Sequence, residues 1–113
     1  MKVKGTNLSM IRGDSESITI SYDARNGTET LFEDGDIIYF TVKYSVNSEK
    51  KLLHKIVTEF DNGKAIIEIL PEDTKHMPFR TFVYDIQLNK LNGTVTTIVP
   101  PSDFTVEGEV TYE

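Results

Sequence analysis

The chain of 113 residues has no cysteine and no tryptophan. Without cysteine there are no disulfides, no thiolate metal ligands and no cysteine nucleophile. That suits a reducing cytoplasm, or a particle assembled in one. Histidine is nearly absent too. His54 and His76 are the only two, and neither has a second histidine at metal-ligand spacing. No run of about 18 apolar residues could cross a membrane. The opening stretch MKVKGTNLSM lacks the apolar core of a signal peptide. An excess of positive charge is also missing. The net charge of −6 argues against nucleic acid as a partner, because a phosphate backbone needs a concentrated basic surface. No glycine-rich phosphate loop is present, and no nucleophile elbow. The expectation is therefore no catalytic residues, no metal and no cofactor, with neither membrane nor nucleic acid as partner.

What is present is period two. From Phe82 the stretch FVYDIQL alternates Phe82, Tyr84, Ile86 and Leu88 with Val83, Asp85 and Gln87. SITISYD, DIIYFTVKYS, LLHKIVTEF, KAIIEIL, TVTTIV and DFTVEGEVTY repeat the pattern or carry the same β-branched and aromatic residues. Asn26-Gly27, Asp34-Gly35, Asp61-Asn62-Gly63 and Asn92-Gly93 punctuate them as turns. LNGT predicts a hairpin with a type I′ turn, and FDNGK a second hairpin. Pro100-Pro101 predicts a strand break or an edge. PEDTKHM departs from the pattern, with Pro71 suited to a first helical position and Glu72 and Asp73 to a first turn.

These signals predict a single all-β domain over 1–113. Its form is an immunoglobulin-like antiparallel β-sandwich of seven or eight strands, with one short helical turn near residues 71–76. A small barrel is the alternative. A domain of this length buries roughly 65% of the surface its unfolded chain exposes, enough to fold without staples. The expected core is Ile18, Ile20, Phe40, Val42, Ile67, Ile69, Tyr84, Ile86 and Leu88.

Several short motifs invite a functional reading. Arg12-Gly13-Asp14 spells an integrin tripeptide, but between two short strands it reads as a turn in which Asp14 holds local backbone. Three Asn-x-Ser/Thr matches, at 7, 26 and 92, lack a secretory route that would give them meaning. FEDGD clusters Glu33, Asp34 and Asp36, short of the ligand count and closing glutamate of a calcium loop. Asp73, His76 and a hydroxyl at Thr74 or Ser102 form too loose a set to be a catalytic site. Tyr39 and Tyr44 are candidates for an aromatic platform of the kind that stacks sugars.

Four stretches, NLSMIRGDSESITISY, DIIYFTVKYS, ILPEDT and FVYDIQL, resemble in order and spacing small β-sandwich proteins of tailed phages and prophages of Gram-positive bacteria. Those proteins are often labelled tail- or baseplate-associated. The resemblance runs from about Asn7 to Leu91, and the segment from Val99 onward matches it less well. It implies a non-enzymatic structural or adaptor component assembled in the bacterial cytoplasm. Its partners would be other tail or baseplate proteins, or further copies of itself. The alternative is a β-sandwich module that binds a glycan or peptide on a host surface.

Charge and the last strand suggest where contacts form. Residues 101–113 carry −4 and residues 43–64 carry +2, so a head-to-tail contact is electrostatically favourable. In DFTVEGEVTYE the residues Phe104, Val106, Val110 and Tyr112 share one face. A terminal strand is commonly an edge strand, so these four are the expected partner interface. Gly108 reads as a bulge or a close backbone approach.

Overall fold

The computed structural model describes residues 1–23, 29, 30 and 32–111. The fold is an all-β sandwich with one short helix. Its strands are β1 (Lys2–Lys4), β2 (Asn7–Ile11), β3 (Glu16–Ile20), β4 (Tyr22–Asp23), β5 (Glu29–Thr30), β6 (Ile37–Lys43), β7 (Leu53–Val57), β8 (Ala65–Ile69), β9 (Arg80–Asn89) and β10 (Val95–Glu107). The helix α1 spans Pro71–Thr74. One layer has six strands in the order β1-β2-β10-β9-β6-β7, the other is β3-β8, and β4-β5 form a separate pair. Among the described residues all strand pairings are antiparallel except β2 with β10, which is parallel.

Alternation decides which side chains enter the core, because successive Cβ atoms of a strand point to opposite faces. On β6 the residues Ile38, Phe40 and Val42 are buried. On β9 they are Phe82, Tyr84, Ile86 and Leu88. Ala65, Ile67 and Ile69 of β8 close over them from the other layer. The aromatic centre is Phe40, Tyr84 and Phe104. Their ring centroids lie 5.4 to 6.2 Å apart, in tilted and edge-on arrangements that such rings favour. Seven of the nine expected core residues are buried. Ile18 and Ile20 are only half-buried, because among the described residues β3 has a neighbour on one side alone.

The turns obey their chemistry but not always the expected type. At Asp61-Asn62-Gly63-Lys64, Asn62 (φ 52°) and Gly63 (φ 74°) are both left-handed, and Asp61 and Lys64 exchange two backbone bonds of 2.9 Å. This is the geometry of a type I′ turn. The strands on either side, β7 and β8, nevertheless belong to different layers, so the turn turns the chain from one layer to the other rather than closing a hairpin. The LNGT hairpin does join β9 to β10. There Gly93 N–H bonds to the Lys90 carbonyl (2.9 Å), and only Gly93 is left-handed (φ 94°). That is a type I turn followed by a glycine bulge, not type I′.

Pro100-Pro101 does not break the chain's last strand. TVTTIV and DFTVE are one strand of 13 residues, with register shifts at Thr97/Val99 and Val99/Ser102. The prolines sit in the irregular stretch, where a missing N–H removes no ladder bond. Buried polar groups tie it down. Ser102 Oγ donates to the Pro100 carbonyl (2.7 Å) and lies 2.7 Å from Thr6 Oγ1. The Tyr84 hydroxyl, reaching out of the core, donates to the Thr6 carbonyl. Burial pushes the Tyr84 phenol up, so it stays a donor throughout the physiological range.

Candidate functional site

The expected partner interface is where the structure departs most from the sequence reading. Over residues 104–107, β10 lies beside β2, and β9 flanks it over most of its length on the other side, so this part is not at an edge. Phe104 and Val106 face the core and are 0% and 1% exposed. They are therefore closed to a partner. Glu107 ends the strand, Val110 stands fully in solvent, and Tyr112 lies outside the described residues. The last strand is central because the parallel pairing with β2 covers the side that would otherwise be free.

Three of the quoted motifs interlock. Gly13 N–H donates to Thr74 Oγ1 (2.8 Å), so the RGD turn sits on the PEDT helix, and Thr74 is fully buried. Gly13 is left-handed (φ 84°), a conformation that glycine adopts without steric cost. Asp73 reaches back to the Leu70 N–H (2.7 Å) and pairs with Lys55 of β7 at 2.7 Å. Arg12 has the anchoring role that the sequence reading assigned to Asp14. Its guanidinium bonds both oxygens of Glu109 (3.2 and 2.8 Å) and lies 4.2 Å from the centre of the Phe79 ring. The Arg12 bonds hold the Glu109 carboxyl below its ordinary value, although partial desolvation opposes them. Gly108 is a close approach rather than a bulge, since a Cβ there would meet the Phe79 ring at 3.1 Å. Asp14 itself is exposed.

This arrangement makes a clear expectation for stability. Thr74→Val keeps the volume but leaves the Gly13 N–H without an acceptor, and should cost about 1–2 kcal/mol. Asp14→Ala should stay within about 0.5 kcal/mol. Urea melts of the two variants check this ordering, and equal effects would count against it.

The acidic loop turns inward. Burial pushes the Asp36 carboxyl up, but the Glu33 N–H, the Lys90 ammonium and the Leu91 N–H outweigh burial and hold it below its ordinary value. Asp36 is 2% exposed, with Lys90 Nζ at 3.1 Å, while Glu33 and Asp34 face solvent. The three carboxylates therefore do not converge.

The rims of the sandwich differ in how they are guarded. Exposed sheet edges invite pairing with another chain, and charge, brevity or proline suppresses it. β1 has only three residues, two of them lysines. β7 carries an inward lysine, Lys55, opposite Phe40. The outer half of β10 carries the proline pair. β3 has fewer defences. Its one charge, Glu16, is neutralised by the N-terminal amine at 2.7 Å, and Ser17 and Thr19 point outward. Beside it runs an apolar groove of about 450 Å³ between the layers, lined by Met1, Val3, Leu8, Ile18, Ile20 and Val99 among others.

The outer face of the large sheet has a different character. Cross-strand register places His54, Thr41 and Asp85 in one row over β7, β6 and β9, and Ile56, Tyr39 and Gln87 in the next. The Tyr39 and His54 rings stack 5.8 Å apart at 20°, and Thr41 Oγ1 lies 2.9 Å from His54 Nδ1. Burial, then the neighbouring Lys51 charge, push the His54 pKa down. The imidazole is therefore neutral at pH 7. In a catalytic triad the base stands between hydroxyl and carboxylate. Here the hydroxyl stands in the middle, and His54 and Asp85 are two strand spacings, roughly 10 Å, apart. His76 lies elsewhere, 3.3 Å from the Leu52 carbonyl. Tyr44, the other platform candidate, packs on Phe82 with the Arg80 guanidinium 4.9 Å from its ring centre.

Comparison with protein-family models gave no match, and neither did comparison with curated proteins. Among the described residues, no group of three or more His, Cys, Asp or Glu is placed to hold a metal ion, and no helix is long and apolar enough to cross a membrane.

Proposed function

We propose that the chain is a non-enzymatic structural or adaptor component of a phage or prophage tail or baseplate. It assembles in the bacterial cytoplasm and works through contacts with other tail proteins. The observation that supports a contact-making role is the lightly guarded edge of β3 beside an apolar groove. An extended segment with apolar residues at alternate positions suits that edge. Its backbone would continue the β3 ladder, and its side chains would fill the groove beside Ile18 and Ile20. The particle itself is inferred from the ordered resemblance of the four motifs. Three of them, RGD, PEDT and VYDIQ, supply the Gly13–Thr74 bond and the Tyr84–Thr6 bond that hold the sandwich together.

A double variant, Ser17→Lys with Thr19→Lys, tests the reading. Both positions are exposed, so the fold should melt like the wild type, while two lysines guard the edge as they do on β1. Tagged wild-type chain is expected to co-sediment with tails purified from an induced lysogen that carries the gene, and the variant to remain free. Wild-type chain absent from purified tails would overturn the proposal. A variant incorporated as well as the wild type would remove β3 as the contact and leave the particle assignment standing.

A further inference from the structure

We propose that the trough on the outer face of the large sheet, running from Tyr39 to Asp85, is a binding site for a neutral saccharide. Two hollows of about 290 and 170 Å³ share Thr41, Lys51 and Asp85 and so form one depression. Its floor is a set of half-buried side chains on β6 and β9, namely Tyr39, Thr41, Asp85, Gln87 and Asn89. Backbone groups are not on offer there. β6 and β9 each have a hydrogen-bonded neighbour on both sides, so no peptide strand can add, and a ligand must be read by side chains.

The side chains narrow the ligand class. Tyr39 supplies a half-buried ring, held in place by its stack on His54, and an apolar C–H face of a pyranose can lie on such a ring. Around it, Asp85 offers two acceptors, Gln87 offers donors and an acceptor, and Lys51 offers donors. Pairs of neighbouring hydroxyls match groups of this kind. Asn89 closes one end of the trough, although its Oδ1 is shut off from solvent and so from a ligand. Charge argues for neutrality, because an anionic ligand would face Asp85 and a cationic one would face Lys51. Small-molecule sites combine an apolar wall with a few placed polar groups in just this manner, at volumes from roughly 300 Å³. The neutral His54 fits the same picture, bonded to Thr41 and bringing no charge to the trough.

The proposal stands apart from the tail assignment and is tested on the isolated chain. Uniformly ¹⁵N-labelled protein is titrated with methyl glucoside, methyl galactoside, N-acetylglucosamine and their short oligomers. Glycerol and inorganic phosphate serve as comparison probes. At least one saccharide is expected to give saturable shifts, with a Kd of about 1 mM or tighter, confined to Thr41, His54, Asp85, Gln87, Asn89 and their neighbours. Tyr39→Ala should weaken that binding by about tenfold or more, and Asp85→Asn should weaken it while keeping the shape of the trough. Wild-type thermal melts of both variants separate lost binding from lost fold. The proposal is overturned if no saccharide shifts these residues at about 10 mM. It is equally overturned if glycerol or phosphate gives the same response, or if folded Tyr39→Ala binds as tightly as the wild type.

Discussion

Phe104→Ala is expected to destabilise the fold by about 3–5 kcal/mol, the range for deleting a fully buried aromatic ring. Phe104 has no exposed surface, and its ring meets Phe40 at 6.1 Å and Tyr84 at 6.2 Å, so truncation opens a cavity at the aromatic centre. Val110→Ala, three residues beyond the end of the same strand, should stay within about 0.5 kcal/mol, because Val110 stands entirely in solvent. Urea unfolding of the two variants reads the difference directly. Were Phe104 part of a partner interface instead, its truncation would spare the monomer's stability and impair only association.

Asp36→Ala is expected to cost about 2–3 kcal/mol near neutral pH. The variant strands the Glu33 N–H and the Lys90 ammonium, both bonded to a carboxylate that is almost wholly buried. Partial exposure of Lys90 keeps the figure below that of a fully buried pair. The pH dependence has a definite sign. The folded carboxyl sits below its ordinary value of 3.8, so its contribution is complete above that value and is lost as pH falls through the folded pKa. The gap between wild type and Asp36→Ala should therefore narrow in acid, below about pH 4. Denaturant melts repeated from pH 7 to pH 3 would reveal it, and a constant gap would contradict the Asp36–Lys90 account.

A second titration runs in the same direction at higher pH. His54 is held below its ordinary value of 6.5, so below that value the unfolded chain takes up a proton that the folded chain resists. Stability is thus lost as pH falls from about 6.5.

The alternating stretches determined a great deal by themselves. Phe82, Tyr84, Ile86 and Leu88 can share one face only as a strand, and so can Phe40 and Val42. Burial of one face then follows from the hydrophobic effect, which is why the core could be named residue by residue. The turns at Asp34-Gly35, Asn62-Gly63 and Asn92-Gly93 were equally local, because Asn-Gly and Asp-Gly steps are set by steric limits on φ, while Asn26-Gly27 lies outside the described residues. Even the short helix could be placed from Pro71 and the acidic first turn.

Only the tertiary structure decided which strands lie at the edges. A strand's own residues specify its two faces but not its neighbours, and the parallel pairing of β2 with β10 joins residues nearly a hundred positions apart. That pairing closed off Phe104 and Val106, and it made Arg12 rather than Asp14 the anchor of its turn, since Arg12 gains Glu109 and Phe79 only when the chain's ends meet. The outer trough was equally hidden. Tyr39 was legible as an aromatic candidate, but His54, Thr41, Asp85, Gln87 and Asn89 come from three strands, and it is cross-strand register that sets them side by side.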